Sequence, residues 1–552
     1  MNKNKATNFI PVLKTAFVLN VLSLLLGIIY LFYQQMNFFW NMYGVLMIIT
    51  FLVNILFAAM EKKQKVLSYT YLILSALWMY MVLIINTIVS LNPFNMNSQS
   101  TISILMILSL FFLGGLLSYH CIADVKKQDK PISSMDNSIS NRGISVKNGV
   151  IIFLSAILYG GLFLAISLLK VEKNYLIEAF LSEYALFYAI AFLSIGTLIM
   201  KLLNRKKYHL YYSIVFTITI IMFVIFMLPF FYIPSLMNKA EGNYKKVFSA
   251  EYKANPIYST AAFRKLPFSL PEYFFGTPSK SYHLKENVLF YLGTEGVDKG
   301  LELHFDVYMP EGDATKLPGE NSVLIRIHGG GWTSGDKGAF NFAQMNKYFA
   351  AQGYVVFDIQ YGLNNFKSYF NIAPVPKTIS NDFSIDDMVR HIGIFTNYLA
   401  EHADDYQANL DSVFISGGSA GGHLALVTGL ALSSNKYQDL LNPKLSVKGV
   451  IPFYPANKLS LELDIAGEEA LVDPVLLVDK KSPPCLIFQG SHDGLVNSNI
   501  SEKFRASYLK AGNNQCAIIE MPFGGHASDF YFSGYYNQVF LYYMERFLYQ
   551  YK

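Results

Sequence analysis

The sequence predicts two structural classes in one chain: a bundle of membrane-spanning helices, followed by an α/β domain with a mostly parallel sheet. Seven long apolar stretches occupy residues 1–234. Beyond them, short apolar runs alternate with helical patterns, as in a sheet covered by helices on both faces. The composition agrees, because 53% of the 552 residues are hydrophobic and only 15% are charged, whereas soluble chains carry about 25% charged residues.

The seven stretches are apolar and long enough to cross a bilayer as helices of about 20 residues. They lie near 9–33, 39–60, 66–91, 101–123, 149–170, 178–200 and 209–234. The first is too long for a cleavable signal peptide and has no small-residue cleavage site, so we expect it to remain as an anchor. We therefore predict a transmembrane helical domain over 1–234.

Basic residues are distributed unequally between the two sets of connecting segments. Only Lys170 and Lys173 lie on one side. The other side carries Lys3, Lys5, Lys14, Lys62, Lys63, Lys65, Lys126, Lys127, Lys130, Arg142, Lys147, Lys201, Arg205, Lys206 and Lys207. Because cytoplasmic loops carry the excess of Lys and Arg, this predicts a cytoplasmic N-terminus. After an odd number of spans, the C-terminal half of this integral membrane protein is expected to be extracytoplasmic.

Few residues in the predicted spans could carry chemistry. Ionisable residues inside a span usually mark a transport path, and the only acidic residues that fall within one are Glu178 and Glu183. Both lie near its outer end, where we expect them to reach water. We expect the glycine pairs at 114–115 and 160–161 to permit close helix packing. The bundle is predicted to be an anchor or lipid-facing scaffold, with substrate handling in the bilayer as the alternative.

The outer half divides into two parts. Residues 235–285 are aromatic and proline-containing, and we expect a linker that packs onto the next domain. Residues 286–552 form the predicted α/β domain, which begins with a hairpin over 287–293 and 301–310. Continuous apolar runs predict buried parallel strands near 322–332, 354–363, 412–419, 447–456, 484–493 and 515–523. Helices are predicted near 339–352, 384–404, 420–433, 499–511 and 535–549.

Charge and cysteine content exclude several function classes. The net charge of +5 follows from the membrane loops and forms no basic stripe, so we expect no nucleic-acid partner. Cys121, Cys485 and Cys516 are too few for a disulfide framework and have no metal-ligand spacing. We expect three packed thiols, with a Cys485–Cys516 disulfide as the alternative, and no metal site.

A glycine-flanked serine follows one of the predicted strands, in the stretch VFISGGSAGGHLAL at 413–426. Gly417 and Gly421 lie two residues on either side of Ser419, which fits G-x-S-x-G between a strand and a helix. A serine on so sharp a turn holds strained dihedral angles, and the glycines avoid collisions there. The helix start also directs free N–H groups at the reaction centre. The pattern predicts Ser419 as a nucleophile, with a plain glycine–serine turn as the alternative.

A second glycine-rich turn, HGGGW at 328–332, ends an upstream predicted strand. Successive glycines expose backbone N–H groups that can hold the oxyanion of a tetrahedral intermediate. We predict the oxyanion hole among Gly329, Gly330, Gly331 and Ala420. A phosphate-cradling turn is the alternative, but no G-K-[ST] or dinucleotide fingerprint accompanies it.

The acid and the base of a triad are predicted on loops after later strands. Asp493 ends a strand in GSHDGLV, where a carboxylate can orient an imidazole. His526, in PFGGHASD, is the only histidine after His492. The chain order Ser419, Asp493, His526 is the one expected after such a strand–turn–helix serine. The competing residues, which we expect at surface, loop or packing positions, are Asp473, Asp479, His423 and His492.

These motifs resemble those of α/β-hydrolase carboxylesterases of the hormone-sensitive-lipase-like and feruloyl-esterase-like (BD-FAE-like) branch. The resemblance rests on HGGGW, GGSAGGHLA, PPCLIFQGSHDGLV and GGHASDF, and covers about residues 285–550. It implies an eight-stranded, mostly parallel sheet and ester hydrolysis through an acyl-enzyme, with no cofactor. It also implies a structural His328. Gly418 stands where many relatives carry an acid. The short insertion between 456 and 484 predicts no large cap, so any lid would come from 235–285.

The expected function is a membrane-anchored serine esterase acting on the extracytoplasmic face through Ser419, His526 and Asp493. The expected substrates are acylated small molecules, lipids, glycans or cell-wall esters, and the short cap favours short acyl groups. Membrane lipid is the other expected partner. Two alternatives remain: an amidase or peptidase with the same triad, and a non-catalytic receptor or assembly protein.

Overall fold

Seven long helices form the N-terminal half. The structure is a computed structural model, and it describes residues 10–33, 38–61, 63–97, 99–126, 141–171, 173–248, 263–365, 373–434 and 436–552. Within these residues, seven helices are long and apolar enough to cross a membrane, as predicted. They are α1 (Ile10–Phe32), α2 (Phe38–Met60), α3 (Lys65–Leu91), α4 (Thr101–Lys126), α5 (Asn141–Leu168), α7 (Ala185–Leu202) and α8 (His209–Phe248). A short helix, α6 (Tyr175–Ala179), precedes α7.

One glycine of each predicted pair lies at a close helix–helix contact. A Cβ atom on Gly114 would lie 2.1 Å from a buried asparagine amide, and one on Gly161 would lie 2.3 Å from the ring of Phe192. At Gly115 the nearest atom would be 3.6 Å away, and at Gly160 nothing lies within 4 Å. Of these four glycines, close packing therefore requires only Gly114 and Gly161, because there is space for a Cβ atom at the other two.

Helix α8 extends beyond the membrane-spanning part of the bundle. Its 40 residues correspond to about 60 Å, whereas the hydrocarbon core of a bilayer is about 30 Å thick. The predicted span ends at 234, but the helix, which contains Pro229 and Pro234, continues to Phe248. The outer turns are held by the α/β domain: the Asn243 side chain donates to the carbonyl of Ile518 over 3.1 Å, and Phe248 packs against Phe547. Residues 235–248 of the expected linker are thus helical, and 249–262 lie outside the described residues.

The second half contains the predicted sheet. Among the described residues it has eight strands in the order β1-β2-β4-β3-β7-β8-β9-β10. Strands β1–β2 and β2–β4 pair antiparallel and the others parallel, which confirms the hairpin and the six parallel runs. The strands are β1 (Tyr282–Leu292), β2 (Glu302–Pro310), β3 (Ser322–Ile327), β4 (Val355–Ile359), β7 (Asn409–Gly418), β8 (Val447–Phe453), β9 (Cys485–Gly490) and β10 (Cys516–Met521), with a separate short pair, β5 (Leu363–Asn364) and β6 (Ser380–Asn381).

Helices cover both faces of the sheet. The helices are α9 (Leu270–Phe275), α10 (Ala343–Ala350), α11 (Ile385–His402), α12 (Ala420–Ser434), α13 (Glu469–Val472), α14 (Ser498–Lys510) and α15 (Tyr535–Tyr551). One apolar core contains residues of α11, α12 and α14. The core on the other face contains α10 and α15 and is continuous with the interior of the membrane bundle. The two halves therefore share a hydrophobic core.

Charged side chains bind helix ends across the junction between the halves. Lys347 of α10 donates to the carbonyls of Ser90 (3.1 Å) and Asn92 (2.7 Å) at the C-terminal end of α3. Conversely, the Glu183 carboxylate accepts the N–H of Tyr536, 3.0 Å away, in the first turn of α15. Lys347 donates to carbonyls at a helix C-terminus and Glu183 accepts at a helix N-terminus, where such groups lack partners within the helix, so the contacts fix the relative position of the two halves.

The two acidic residues near the predicted sixth span do not reach water. That span begins only at Ala185, and Glu178 and Glu183 lie before it with 4% and 1% of their surfaces exposed. The expectation of a water-facing pair was wrong because the α/β domain covers this end of the bundle. Its backbone N–H groups take the place of water as donors.

Candidate active site

Ser419 lies on the turn between β7 and α12 with a φ of +56°. The flanking glycines have no space for side chains. A Cβ atom on Gly421 would lie 2.2 Å from the carbonyl oxygen of Ile327, and one on Gly417 would lie 2.4 Å from that of Gly421. The G-x-S-x-G spacing is therefore a steric requirement of the turn, which exposes the serine hydroxyl at the carboxyl end of the sheet.

The structure brings the three predicted triad residues together. His526 Nε2 is 3.1 Å from Ser419 Oγ, and His526 Nδ1 is 2.9 Å from Asp493 Oδ2. The other carboxylate oxygen of Asp493 accepts the N–H groups of Leu495 and Val496 over 3.0 and 2.7 Å. One oxygen is thus fixed by backbone and the other orients the imidazole, which directs Nε2 at the hydroxyl.

The competing residues lie elsewhere. Asp473 and Asp479 accept nearby backbone N–H groups in the segment before β9. His423 is buried within α12, with Nε2 3.1 Å from the carbonyl of Val472, and burial lowers its pKa to about 4. His492 Nδ1 lies 2.9 Å from a neighbouring serine hydroxyl. The hydrogen bonds of all four side chains are made away from Ser419.

Three of the four predicted oxyanion donors lie at the nucleophile. Gly329 and Gly330 line the cavity beside Ser419, and a Cβ atom on Gly329 would lie 3.5 Å from that of Ser419. Ala420 is the first residue of α12, so its N–H has no acceptor within the helix. Gly331 follows with φ at +62° but is not among the residues that line the cavity. The adjacent His328 ring stacks on Tyr361 at 4.4 Å, a structural contact.

The surroundings of His526 favour its charged form. Burial lowers the pKa of this imidazole, but the Asp493, Glu178 and Asp529 carboxylates outweigh burial, so the net pKa is raised. Asp529 accepts the hydroxyl of Tyr454 over 2.7 Å, and burial raises the pKa of Asp529 to about 6. The protonated form of the His526 imidazole is therefore favoured by several carboxylates.

A cavity of about 320 Å³ adjoins the serine. The membrane half supplies one wall, through Leu91 at the end of α3 and through Leu176, Ala179 and Phe180 in and after α6. We expected any lid to come from 235–285, but none of the described residues of this segment lines the cavity. Residues 249–262 of the segment lie outside the described residues. Sequence reasoning missed this wall, because no pattern distinguishes these apolar residues from others in the membrane half.

Glu178 also reaches the site. Its Oε1 accepts the N–H of Gly494 over 3.0 Å, and its Oε2 accepts the N–H of His526 over 2.5 Å. Burial and the neighbouring Asp493 carboxylate raise the pKa of Glu178 to about 7. An acidic residue in so apolar a region was a signal in the sequence, but its partner loops lie more than 300 positions away.

No metal-binding arrangement is found within the described ranges, where no group of three or more His, Cys, Asp or Glu side chains is placed to hold an ion. The three cysteines are buried free thiols. Cys485 and Cys516 are partners in the register of β9 and β10.

The sheet order, the strand–turn–helix serine and the glycine turn define an α/β-hydrolase fold. Within it, residues 305–469 match the BD-FAE family; this segment contains Ser419 but ends before Asp493 and His526. The chain is 24% identical over 249 residues to the probable carboxylic ester hydrolase LipM of Mycobacterium tuberculosis. The aligned region covers 41% of this chain and 53% of LipM. It is 26% identical over 234 residues to esterase LipQ of the same organism, covering 38% and 52%.

The chain thus spans about half the length of the curated relatives that it matches. Among solved structures, it resembles esterase 2 of Thermogutta terrifontis phosphorylated by paraoxon, with 24% identity and a TM-score of 0.34 over 45% of this chain and 85% of that one.

Proposed function

We propose that this protein is a membrane-anchored serine esterase that hydrolyses carboxylic esters on the extracytoplasmic face of the membrane. The observation that carries the proposal is the hydrogen-bonded series of Asp493, His526 and Ser419 beside the glycine turn that contains Gly329 and Gly330. The esterase relatives support the same reaction class.

In the proposed mechanism, Ser419 Oγ attacks the ester carbonyl carbon while His526 Nε2 takes the hydroxyl proton. The N–H groups of Gly329, Gly330 and Ala420 stabilise the oxyanion, and Asp493 stabilises the imidazolium. His526 then gives its proton to the leaving alcohol, which departs and leaves an acyl-enzyme. A water molecule, deprotonated by His526, attacks the acyl carbon, and the carboxylic acid is released with the serine restored.

The substrate is proposed to place its acyl group in the cavity beside Ser419. Its volume of about 320 Å³ is at the lower end of the range for ligand pockets, which supports short acyl groups. The wall comes from the end of the membrane helix α3 and from the short helix α6, which precedes α7. An amphiphilic ester at the membrane surface, such as an acylated lipid or glycan, therefore fits this position best.

The test uses the full-length protein in detergent micelles, assayed on p-nitrophenyl esters from acetate to dodecanoate. The matched control is Ser419→Ala, which removes only the nucleophile. We expect wild-type kcat to exceed that of the variant by at least about 10³-fold, and a fluorophosphonate probe to label wild type alone. Equal turnover in both proteins would rule out the proposed nucleophile. Hydrolysis of peptides or anilides without a preference for esters would instead favour the amidase.

A further inference from the structure

We propose that Glu178, a residue of the membrane half, is a positioning residue of the active site that holds the acid loop and the base loop of the triad together. This inference rests on the proposed function and deepens it. Glu178 lies in α6, between two membrane spans, and it touches the backbone of the triad loops and not the reacting atoms.

The carboxylate accepts a backbone N–H from each of the two loops, which also contact each other through the N–H of His492 and the carbonyl of Gly524, 2.8 Å apart. Gly494 directly follows Asp493, and its N–H binds Oε1 at 3.0 Å. The N–H of His526 itself binds Oε2 at 2.5 Å. Each oxygen of one rigid group therefore fixes the backbone of one triad loop. A change in either contact alters the distance between the Asp493 carboxylate and the imidazole that it orients.

The base loop is shaped to receive this side chain. A Cβ atom on Gly525 would lie 2.6 Å from the Cβ of Glu178 and 2.9 Å from its Cα. Only glycine at 525 allows α6 to come this close. Beside it, Phe180 packs on Phe530 with ring centroids 5.0 Å apart, so the approach is fixed on two sides.

Glu183 provides a comparison within the same segment. It is equally buried and also accepts a backbone N–H of the α/β domain, but at Tyr536 in the first turn of α15. A Cβ atom on Gly534 would lie 2.0 Å from its Oε2. Within the described part of the chain, its carboxylate accepts backbone N–H groups at the start of α15 and not those of the loops that carry Asp493 and His526. Loss of Glu183 should weaken docking of the halves, whereas loss of Glu178 should alter the triad.

The charge of Glu178 gives a second signature. His526 is faced by Asp493, Glu178 and Asp529, and by Tyr454, whose ring centroid lies 4.6 Å from that of the imidazole. On the other side of Glu178, a small cavity is lined by His492 and Lys170. Since Glu178 contributes to the raised pKa of His526, a neutral residue at 178 should lower that pKa. The acid limb of kcat/KM should then move to lower pH, an effect that a purely structural contact would not produce.

The experiment compares Glu178→Gln, Glu178→Asp and Glu183→Gln in the full-length protein in detergent. Ester hydrolysis is measured against pH and normalised to the serine that a fluorophosphonate probe labels at completion. For Glu178→Gln, whose amide N–H₂ would face an N–H donor, we expect a kcat about 10- to 100-fold lower, a KM within about twofold, and an acid limb at lower pH. Glu178→Asp should restore the limb and part of kcat. Glu183→Gln should lower Tm but keep kcat and the limb.

Wild-type kcat and an unmoved limb in Glu178→Gln would overturn the proposal. The proposal would also be overturned if kcat fell equally in Glu178→Gln and Glu183→Gln while their pH profiles stayed unchanged. Failure of both Glu178 variants to fold would overturn it as well. Either outcome would give Glu178 a structural role only. Failure of the esterase proposal is distinguished by the rate of fluorophosphonate labelling at Ser419. If wild type hydrolyses no ester, slower labelling of Glu178→Gln than of Glu183→Gln still supports the positioning role.

Discussion

At the scale of single residues, Ser419, the proposed nucleophile, illustrates how backbone contacts hold a strained residue. A positive φ costs a non-glycine residue about 1–2 kcal/mol. Three backbone hydrogen bonds offset that strain: the Ser419 N–H donates to Phe453 over 2.9 Å, and its carbonyl accepts from His423 and Ala456 at 3.0 and 3.2 Å. The hydroxyl group takes no part in these bonds and faces His526. The backbone strain therefore lies on the residue that we propose to react.

The residue-scale prediction concerns Asp529. His526 acts as a base only when neutral, so kcat/KM rises with pH as the imidazole loses its proton. Because the pKa of His526 is raised, the wild-type acid limb should lie above the ordinary imidazole value of about 6.5. Asp529→Asn retains an acceptor for Tyr454 but removes a charge, so the limb should move to lower pH. The measurement is kcat/KM on p-nitrophenyl butyrate between about pH 5 and 9.

The control for this prediction is Glu502→Gln, which removes an exposed carboxylate from α14. Its profile should match that of wild type. An acid limb in Asp529→Asn that coincides with both would show that Asp529 does not contribute to the titration of His526.

At the scale of elements, α6 connects the membrane bundle to the loops that carry Asp493 and His526. Its N-cap Asn174 accepts the N–H of Leu176 over 3.1 Å, which starts the helix directly after α5. One side of the element directs Glu178 at the triad loops, while Ala179 is buried and lines the cavity. Five residues thus contribute both to loop position and to the shape of the acyl site.

The element-scale prediction is that Ala179→Leu shortens the accepted acyl chain. The larger side chain would occupy part of the cavity, and each methylene of substrate that is excluded costs about 0.8 kcal/mol, or about fourfold in kcat/KM. Hydrolysis of p-nitrophenyl octanoate should fall while that of the acetate is retained. The reverse variant, Phe180→Ala, opens the same wall and should favour longer chains. If the chain-length profile is the same in all three proteins, α6 does not form the acyl wall.

At the scale of the whole molecule, the sequence predicts what depends on local pattern. Apolar runs located the seven spans and the sheet strands, and steric rules for a strand–turn–helix serine singled out Ser419. The contacts between the halves follow no such pattern. The hydrogen bond from His526 to Glu178 joins positions 348 residues apart, and Ala179 is one alanine among many in an apolar region. Each half can be predicted from its own sequence pattern, but these features depend on how the two halves dock.

Among the described residues, the loops of the bundle that contact the α/β domain lie at one end of it. Asn92, between α3 and α4, binds Lys347, and Glu178, between α5 and α7, binds the triad loops. The loop between α7 and α8, with Arg205 and Lys206, joins the opposite ends of these helices. This arrangement agrees with the distribution of basic residues and supports an outward-facing site.

The whole-molecule prediction tests that orientation. The native cysteines are buried, so an introduced surface cysteine should dominate labelling by a membrane-impermeant maleimide. Lys436, beyond α12, and Lys206, before α8, are both exposed. In intact cells, Lys436→Cys should react at once, whereas Lys206→Cys should react only after the membrane is permeabilised, because the excess of basic residues retains that loop in the cytoplasm. The reverse pattern would place Ser419 inside the cell and exclude outer-face esters as substrates, even if the triad hydrolyses esters in detergent.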